Sequence, residues 1–405
     1  MKHVYIFNTS VRGAYYGIGT YIKQLVDVLR RTAYNVTVVN IIYQDIEFDI
    51  CLKDSIRYIS IPAPIIPKKR LNNEGFEKSI PFILYPYVAP NEQNIFHLNY
   101  MGDKYLAQYL RSLFTGCSII LTVHYTDWSL SLSGNRSLLR QILRKEGKEL
   151  DLRSQTILSN LAQEKELLAI CDKVVAISRH SYRDLIQIHK VDKRKITLIN
   201  NALKRSRITS DEKREKTRKK LLIAPNEIIL LFVGRLDIVK GLDLLINTVK
   251  HLIKRYPDLR LIVAGEGDFS KYLSASSPLW TQITFTGFLS PKSLQELYTI
   301  ADIGIIPSLH EEFGYVAIEM MNHKIPIIAN NTTGLSELID DGINGFKVHI
   351  HSRQTTCKEL VDKIIYLIEN PDIRKNIGEK ARNKLNSHYN IRFFEKQMLA
   401  LYNSL

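Results

Sequence analysis

Short runs of Val, Ile and Leu recur along the chain, and helix-patterned stretches separate them. Residues 3–7 are apolar, 8–12 are polar, a glycine cluster follows, and 18–29 carry the three-to-four-residue period of an amphipathic helix. Further apolar runs fall at 36–42, 56–61, 95–98, 119–123, 174–177 and 196–199. Strands buried on both faces read as continuous runs rather than alternating ones. The pattern therefore predicts a parallel sheet with helices on either side.

Residues 204–220 interrupt this rhythm with almost no apolar content, as a linker or a solvated surface helix would. A second series then begins, with strands expected at 228–233, 259–264, 283–285, 303–306 and 325–329 and helices at 242–256, 294–301 and 316–321. The simplest account is an α/β fold of two Rossmann-like, doubly wound domains, residues 1–204 and 205–390, facing a central cleft. An amphipathic tail at 391–405, with Phe393, Phe394, Met398, Leu399 and Leu405, would pack back on the first. Open α/β sheets bind ligands beyond the carboxyl ends of their strands, so chemistry is to be sought there.

Composition narrows the class. Of the 405 residues 45% are hydrophobic and 24% charged, which is ordinary for a globular protein and excludes disordered and fibrous chains. The 56 basic and 41 acidic side chains leave a net charge of +15, favouring an anionic partner. No nucleic-acid motif or interleaved aromatic platform accompanies that charge, so nucleic acid is not expected. Cys51, Cys117, Cys171 and Cys357 are scattered, as small buried hydrophobes of a reducing compartment would be. No run approaches a membrane span, and the first residues turn polar early. The expectation is a soluble cytoplasmic protein.

Candidate chemistry lies at the expected strand ends. Gly13, Gly17 and Gly19 stand between the first strand and first helix, where glycine permits close approach to an anion or simply a tight turn. The run Phe232-Val233-Gly234-Arg235-Leu236-Asp237-Ile238-Val239-Lys240-Gly241 leaves a strand and presents two cations, Arg235 and Lys240, suited to a pyrophosphate that gains charge as a bond to it breaks. Glu311 follows another strand and Glu319 comes eight residues later, inside a helix that starts near Phe313 and Gly314. A carboxylate placed like Glu319 can bridge vicinal hydroxyls. His124 closes the run at 119–123.

These segments, with Gly265-Glu266-Gly267, Phe285-Thr286-Gly287-Phe288 and Ala301-Asp302, resemble the retaining, nucleotide-sugar-dependent glycosyltransferases of family 4. Residues 232–241 are similar to that family's V-G-R-L-x-x-x-K-G signature, and Glu311 to Glu319 fit its E-x7-E signature. The resemblance implies the GT-B fold, with the donor in the C-terminal domain and the acceptor mostly in the N-terminal one. It implies that Arg235 and Lys240 hold the donor diphosphate, that Glu311 contacts sugar hydroxyls, and that the backbone at Phe313, Gly314, Tyr315 and Val316 binds sugar and phosphate. Glu319 would take the ribose, backbone near Phe288 and Leu289 the base, Gly17 and Gly19 the closing contact with the diphosphate, and His124 a place near the reacting sugar. It further implies same-face substitution with no catalytic metal or other cofactor. A UDP-, GDP- or ADP-sugar would be the donor, and a glycan, lipid-linked or protein molecule the acceptor. Three stretches depart from the family pattern: Lys324 replaces a glycine, residues 200–204 replace a P-N-G-V-D-like segment, and residues 331–334 keep one glycine of a usual pair.

A non-catalytic nucleotide-sugar-binding scaffold and a GT-B-like epimerase are the alternatives, and the full set of Arg235, Lys240, Glu311, Glu319 and His124 disfavours the scaffold. Arg136, Arg140, Arg144 and Lys148 recur every four residues. If helical, they form a basic stripe that is either a solvated face or a peripheral docking surface for anionic lipid or an acidic acceptor.

Overall fold

The computed structural model describes residues 2–9, 17–43, 46–63, 74–145, 150–206 and 210–405. The chain divides into two compact units, Met1–Asn201 with Phe394–Leu405, and Ala202–Phe393.

In the first unit the order is β1 (Lys2–Thr9), α1 (Gly17–Leu29), β2 (Asn35–Ile42), β3 (Asp49–Lys53), β4 (Ile56–Pro62), α2 (Glu74–Leu84), β5 (Gln93–Leu98), α3 (Lys104–Leu113), β6 (Ser118–Val123), α4 (Asp127–Ser131), α5 (Arg136–Arg144), α6 (Leu152–Ile170), β7 (Lys173–Ala176), α7 (Arg179–Gln187) and β8 (Ile196–Leu198). The strands form one sheet in the order β3-β4-β2-β1-β5-β6-β7-β8. Pairing is parallel except between β3 and β4. The chain steps outward from β1 to β2 and β4, then returns to the other side at β5, so strand order reverses between β1 and β5.

The second unit contains α8 (Asp211–Lys220), β9 (Ile228–Val233), α9 (Leu242–Leu252), β10 (Leu259–Ala264), α10 (Phe269–Ala275), β11 (Ile283–Gly287), α11 (Pro291–Ile300), β12 (Ile303–Ile306), α12 (Tyr315–Asn322), β13 (Ile327–Asn330), α13 (Leu335–Leu338), β14 (Phe346–Val348), α14 (Arg353–Glu369) and α15 (Pro371–His388). Its six strands run parallel in the order β11-β10-β9-β12-β13-β14, and strand order reverses between β9 and β12. Gly304 in β12 has a packing reason. A Cβ there would sit 2.3 Å from the Met320 sulfur, so the missing side chain lets α12 lie close on the strand.

The last helix, α16 (Ile391–Asn403), buries Phe394, Met398, Leu401 and Tyr402. These lie four, seven and eight residues apart, one helical face. Tyr402 and Met398 reach His97 and Tyr21 of the first unit, and Lys2 Nζ donates to the carbonyls of Tyr402 and Leu405, closing the helix's negative end. Phe393, expected on the buried face, is exposed.

Three expectations are corrected. The strand β3 was not anticipated, because all five of its residues are exposed and its sequence lacks a buried run. The turn that pairs it with β4 places Asp54 and Ser55 at φ of 50° and 65°, the doubly left-handed geometry of a tight hairpin. Cys51 lies on that edge and is exposed, unlike the other three cysteines. Finally, Arg136 leaves the basic stripe. α5 forms with Asn135 as its cap and buries Leu139 and Ile142, but the Arg136 guanidinium pairs with Asp184 beside His180. Arg140 and Arg144 remain exposed, and Lys148 lies outside the described residues. Within the segment at 204–220, residues 211–220 form the polar helix α8, tied down by Arg214, which donates to Asp302 Oδ1 at 2.8 Å and to the Thr299 and Ala301 carbonyls at the end of α11. No helix among the described residues is long and apolar enough to cross a membrane.

Candidate functional site

In the second unit the loops that follow β9 and β12 emerge side by side where strand order reverses. Beyond β9, Asp237 caps a single 3-10 turn by accepting from the Lys240 N–H at 3.2 Å, and its other oxygen pairs with Arg235 Nη2 at 3.2 Å. Gly241 then turns at φ 66°. A Cβ there would lie 2.0 Å from the Pro307 carbonyl oxygen, so the β9 and β12 loops touch backbone to backbone. The Leu309 N–H donates to the Val239 carbonyl at 2.7 Å across the same contact. On the other flank the Leu236 N–H donates to the Glu266 carbonyl at 2.8 Å, and a Cβ on Gly267 would meet the Leu236 oxygen at 2.4 Å. Gly241, Gly265 and Gly267 are required by such approaches.

This clasp brings Lys240 to Glu311, with Nζ to Oε1 at 2.5 Å. The Ser308 hydroxyl donates to the same oxygen at 3.1 Å. The Glu311 backbone is held from behind: its N–H donates to the Thr333 hydroxyl, which donates to the Glu311 carbonyl, and the Gly334 N–H reaches that carbonyl at 2.7 Å. Side-chain exposure is 33% at Arg235 and 19% at Lys240, so neither cation stands out in bulk solvent. A partly buried pair loses most when one partner is removed, because the other charge is left behind.

α12 begins at Tyr315, with Gly314 before it at φ 103° and Phe313 buried. Its first turn carries no acid, so the free N–H groups keep their attraction for an anion. Tyr315 and Val316 occupy that turn, half-buried. Glu319 sits one turn further on, where it accepts from the Tyr298 hydroxyl at 2.6 Å. Burial pushes the Glu319 carboxyl up to about 7, and the Tyr298 bond partly opposes that rise. Phe288 and Leu289 follow the edge strand β11. Phe288 is exposed, and the two stand apart from the Lys240–Glu311 clasp by the width of β10 and β9.

The first unit's candidates also gather at its carboxyl edge. His124 directly follows β6 and is buried. Its Nε2 pairs with Asn99 Oδ1 at 3.2 Å, while Asn99 Nδ2 donates to the Phe7 carbonyl at 2.9 Å. The Tyr21 ring packs edge-on against it, centroids 4.6 Å apart. Burial, with the neighbouring His97 second, pushes His124 down to about 3, so the imidazole is neutral at physiological pH. Gly17 opens α1, and Gly19, two residues on, lines a groove of about 460 Å³ with Asn8, Lys23 and Asp27. Gly13 lies outside the described residues.

Several site residues had no sequence signature. Ser308 and Thr333 hold Glu311, Tyr298 holds Glu319, and Asn99 fixes His124. Ser308 falls inside the 307–319 segment and Thr333 inside the departure from the two-glycine pattern, but neither side chain is marked by its motif. At φ 26° Thr333 takes a glycine-like conformation and adds a hydroxyl. Lys324, the other replaced glycine, adopts φ 60° and pairs with Glu379 at 2.6 Å.

Two open α/β sheets, with loops converging at the strand-order reversal of the second, define a protein of the GT-B class, built from two Rossmann-like domains. Residues 15–207 match the family model for glycosyltransferase family 4, and residues 213–384 match that for glycosyl transferases group 1. The chain belongs to this glycosyltransferase family. It is 28% identical over 181 residues to the alpha-D-kanosaminyltransferase of Streptomyces kanamyceticus, covering 44% of this chain and 46% of that protein. It is 32% identical over 229 residues to the D-inositol 3-phosphate glycosyltransferase of Corynebacterium aurimucosum, covering 54% and 53%. The chain thus spans about half the length of the curated relatives it matches. In fold it is similar to sucrose-phosphate synthase from Thermosynechococcus elongatus, with a TM-score of 0.79, 21% identity, and coverage of 100% and 99%. It is also similar to Anabaena HepE in complex with UDP and glucose, with a TM-score of 0.75, 17% identity, and 99% of each chain covered.

Proposed function

We propose that the protein is a retaining glycosyltransferase that moves a hexose or related sugar from a nucleoside-diphosphate sugar to a glycan, lipid-linked or protein acceptor. The observation that carries this reading is the Lys240–Glu311 pair, clasped at the reversal between β9 and β12 and followed in sequence by the uncharged first turn of α12. Arg235, Lys240 and the helix N–H groups take the donor diphosphate, whose negative charge grows as the sugar–phosphate bond breaks. Glu311 holds sugar hydroxyls and Glu319 the ribose. The acceptor oxygen bonds to the anomeric carbon on the face the diphosphate leaves, and the acceptor's proton passes to a departing phosphate oxygen. His124, neutral and oriented by Asn99, acts as a hydrogen-bonding group at the sugar rather than as a titrating acid. Cations and helix N–H groups supply the charge stabilisation, so the reaction runs without a metal, and EDTA should leave its rate unchanged.

UDP-glucose is the first donor to test, since a neighbour in fold was solved with it. GDP- and ADP-sugars complete the screen. With purified protein, Lys240→Ala and Glu311→Ala should each lower nucleoside diphosphate release more than tenfold, about 1.4 kcal/mol or more of transition-state stabilisation. Near-wild-type rates in both variants would end the assignment. The exposed Arg140 and Arg144 of α5 form a smaller basic face than the sequence suggested, and we place anionic membrane there as a peripheral partner. Changing both to Ser should reduce flotation with phosphatidylglycerol vesicles. Undiminished flotation would remove the membrane from the account.

A further inference from the structure

An aspartate at a helix N-cap ordinarily spends its carboxylate on the helix's free N–H groups. Asp103 stands at that position before α3 and makes no such bond. The role is taken by Glu77, reaching over from α2: its Oε2 accepts from the Leu106 N–H at 3.3 Å, and the Tyr105 N–H also donates to it. Asp103 is thereby released, yet it is only 8% exposed, and its Oδ2 is buried with no hydrogen-bond partner among the described residues. Leaving a buried polar atom unpaired costs about 1–3 kcal/mol, which a ligand group reaching Asp103 would recover.

The position says which ligand. Asp103 closes the loop that leaves β5 at the reversal of the first sheet, five residues after the strand ends and four after Asn99, the residue that orients His124. Its electrostatic neighbours include Tyr43 after β2, Tyr100 after β5 and Tyr125 after β6, all at carboxyl ends of strands. The Tyr100 hydroxyl is already committed to the Thr9 carbonyl at 2.9 Å. The cations on adjoining turns are also committed, Lys78 to Glu74 and Lys104 to Glu166. A carboxyl among tyrosines, with a second carboxyl beside it and its nearby cations already paired, binds a hydroxyl or an ammonium well and a phosphate badly. Burial, with Glu77 next, holds the Asp103 carboxyl well above its ordinary range, in keeping with a group that donates to a hydroxyl while neutral and gives up its proton when an ammonium sits beside it.

We propose that Asp103 is a specificity-determining residue that takes a hydroxyl or amine of the acceptor, and that the acceptor is therefore a neutral or amine-bearing polyol rather than a phosphomonoester. This rests on the transferase reading but is tested apart from it. Binding of methyl α-glucoside, glucosamine and glucose 6-phosphate to the full chain, saturated with UDP, is measured by saturation-transfer NMR. Wild type should bind the first two at least tenfold more tightly than the phosphate. Asp103→Asn should abolish the advantage of the amine, and Asp103→Leu should weaken both preferred ligands tenfold, with the UDP-induced thermal shift unchanged as the folding control. If the leucine variant does not fold, the near-isosteric Asp103→Asn decides alone. Tighter binding of the phosphate, no binding of any of the three, or binding indifferent to Asp103 would each overturn the proposal. Selective binding that depends on Asp103, without release of nucleoside diphosphate from any donor, would instead sink the transferase reading and with it the acceptor role, leaving only the preference of Asp103 for hydroxyl and amine.

Discussion

The carboxyl edges of the two sheets solve the problem of building a polar site in opposite ways. In the second unit the working groups are charged and paired, Arg235 with Asp237 and Lys240 with Glu311, on loops that glycines let meet backbone to backbone. In the first unit the working groups are neutral and buried: His124 pushed down to about 3, Tyr21 and His97 sharing the Thr122 hydroxyl, and Asp103 held toward its protonated form. Paired charge suits a ligand that brings its own charge, as a diphosphate does. Buried neutral donors and acceptors suit hydroxyls, because a site that offers matching hydrogen bonds penalises any ligand that leaves them empty.

The largest effect that could break this contrast is structural. If the second site depends on backbone contact, Gly241→Ala should be severe, since its Cβ would fall on the Pro307 oxygen at a left-handed φ. A loss of about 3 kcal/mol is expected by urea denaturation, combining overpacking with left-handed strain. Gly75→Ala in α2 is the counterpart in the first unit, where a Cβ meets nothing within 4 Å. There the same change should add about 0.5–1 kcal/mol through helix propensity. Equal responses at the two positions would show that glycine packing does not distinguish the units.

The same contrast explains what could be read from the chain. Close backbone approaches demand glycine at fixed spacing, so Gly241, Gly265 and Gly267 leave a pattern that locates the second site. The first site is assembled from ordinary residues on distant strands. Tyr21, Asn99 and His124 come from α1, the loop after β5 and the end of β6, and only topology brings them together. Strands buried on both faces announced themselves, whereas β3, exposed along its length, and the short β14 did not. Asp302 looked like part of a motif. Its role is to hold Arg214 and the Ile229 N–H, tying α8 to the sheet. Base preference of the donor is not legible, because the resemblance gives the base to backbone groups, which carry no side-chain signature.

A titration sharpens the comparison at intermediate size. Glu319 is the acid of the second site that resembles the first in character: half-buried, bonded to a neutral tyrosine, and pushed up from an ordinary 4.5 to about 7. Folding therefore favours its protonated form. That contribution to stability is complete below pH 4.5 and is lost as pH climbs through about 7. Between pH 5 and 8, Glu319→Gln should lose less stability than wild type, by on the order of 1–3 kcal/mol. Donor affinity should run the other way. An ionised carboxylate is the better acceptor for ribose hydroxyls, so wild type should bind UDP more tightly at pH 8 than at pH 6, and Glu319→Gln should show no such rise. Parallel pH profiles for the two proteins would take Glu319 out of the site.

The smallest effect concerns a glycine the second unit lacks. Lys324 holds φ 60° where the family pattern has glycine, and a Cβ on Gly378 of α15 would meet the Lys324 carbonyl oxygen at 2.0 Å, so the backbone there has no room to relax. A side chain in that conformation costs about 1–2 kcal/mol, while glycine would raise the entropy of the unfolded chain by a part of that. The Lys324–Glu379 pair is partly exposed and contributes at most about 1 kcal/mol. Comparing Lys324→Gly with Lys324→Ala removes the pair from both variants and leaves only backbone strain between them. The glycine variant should be the more stable by about 1 kcal/mol in urea. If alanine matches glycine, the left-handed turn is unstrained, and the departure from the family pattern has no energetic cost at this position.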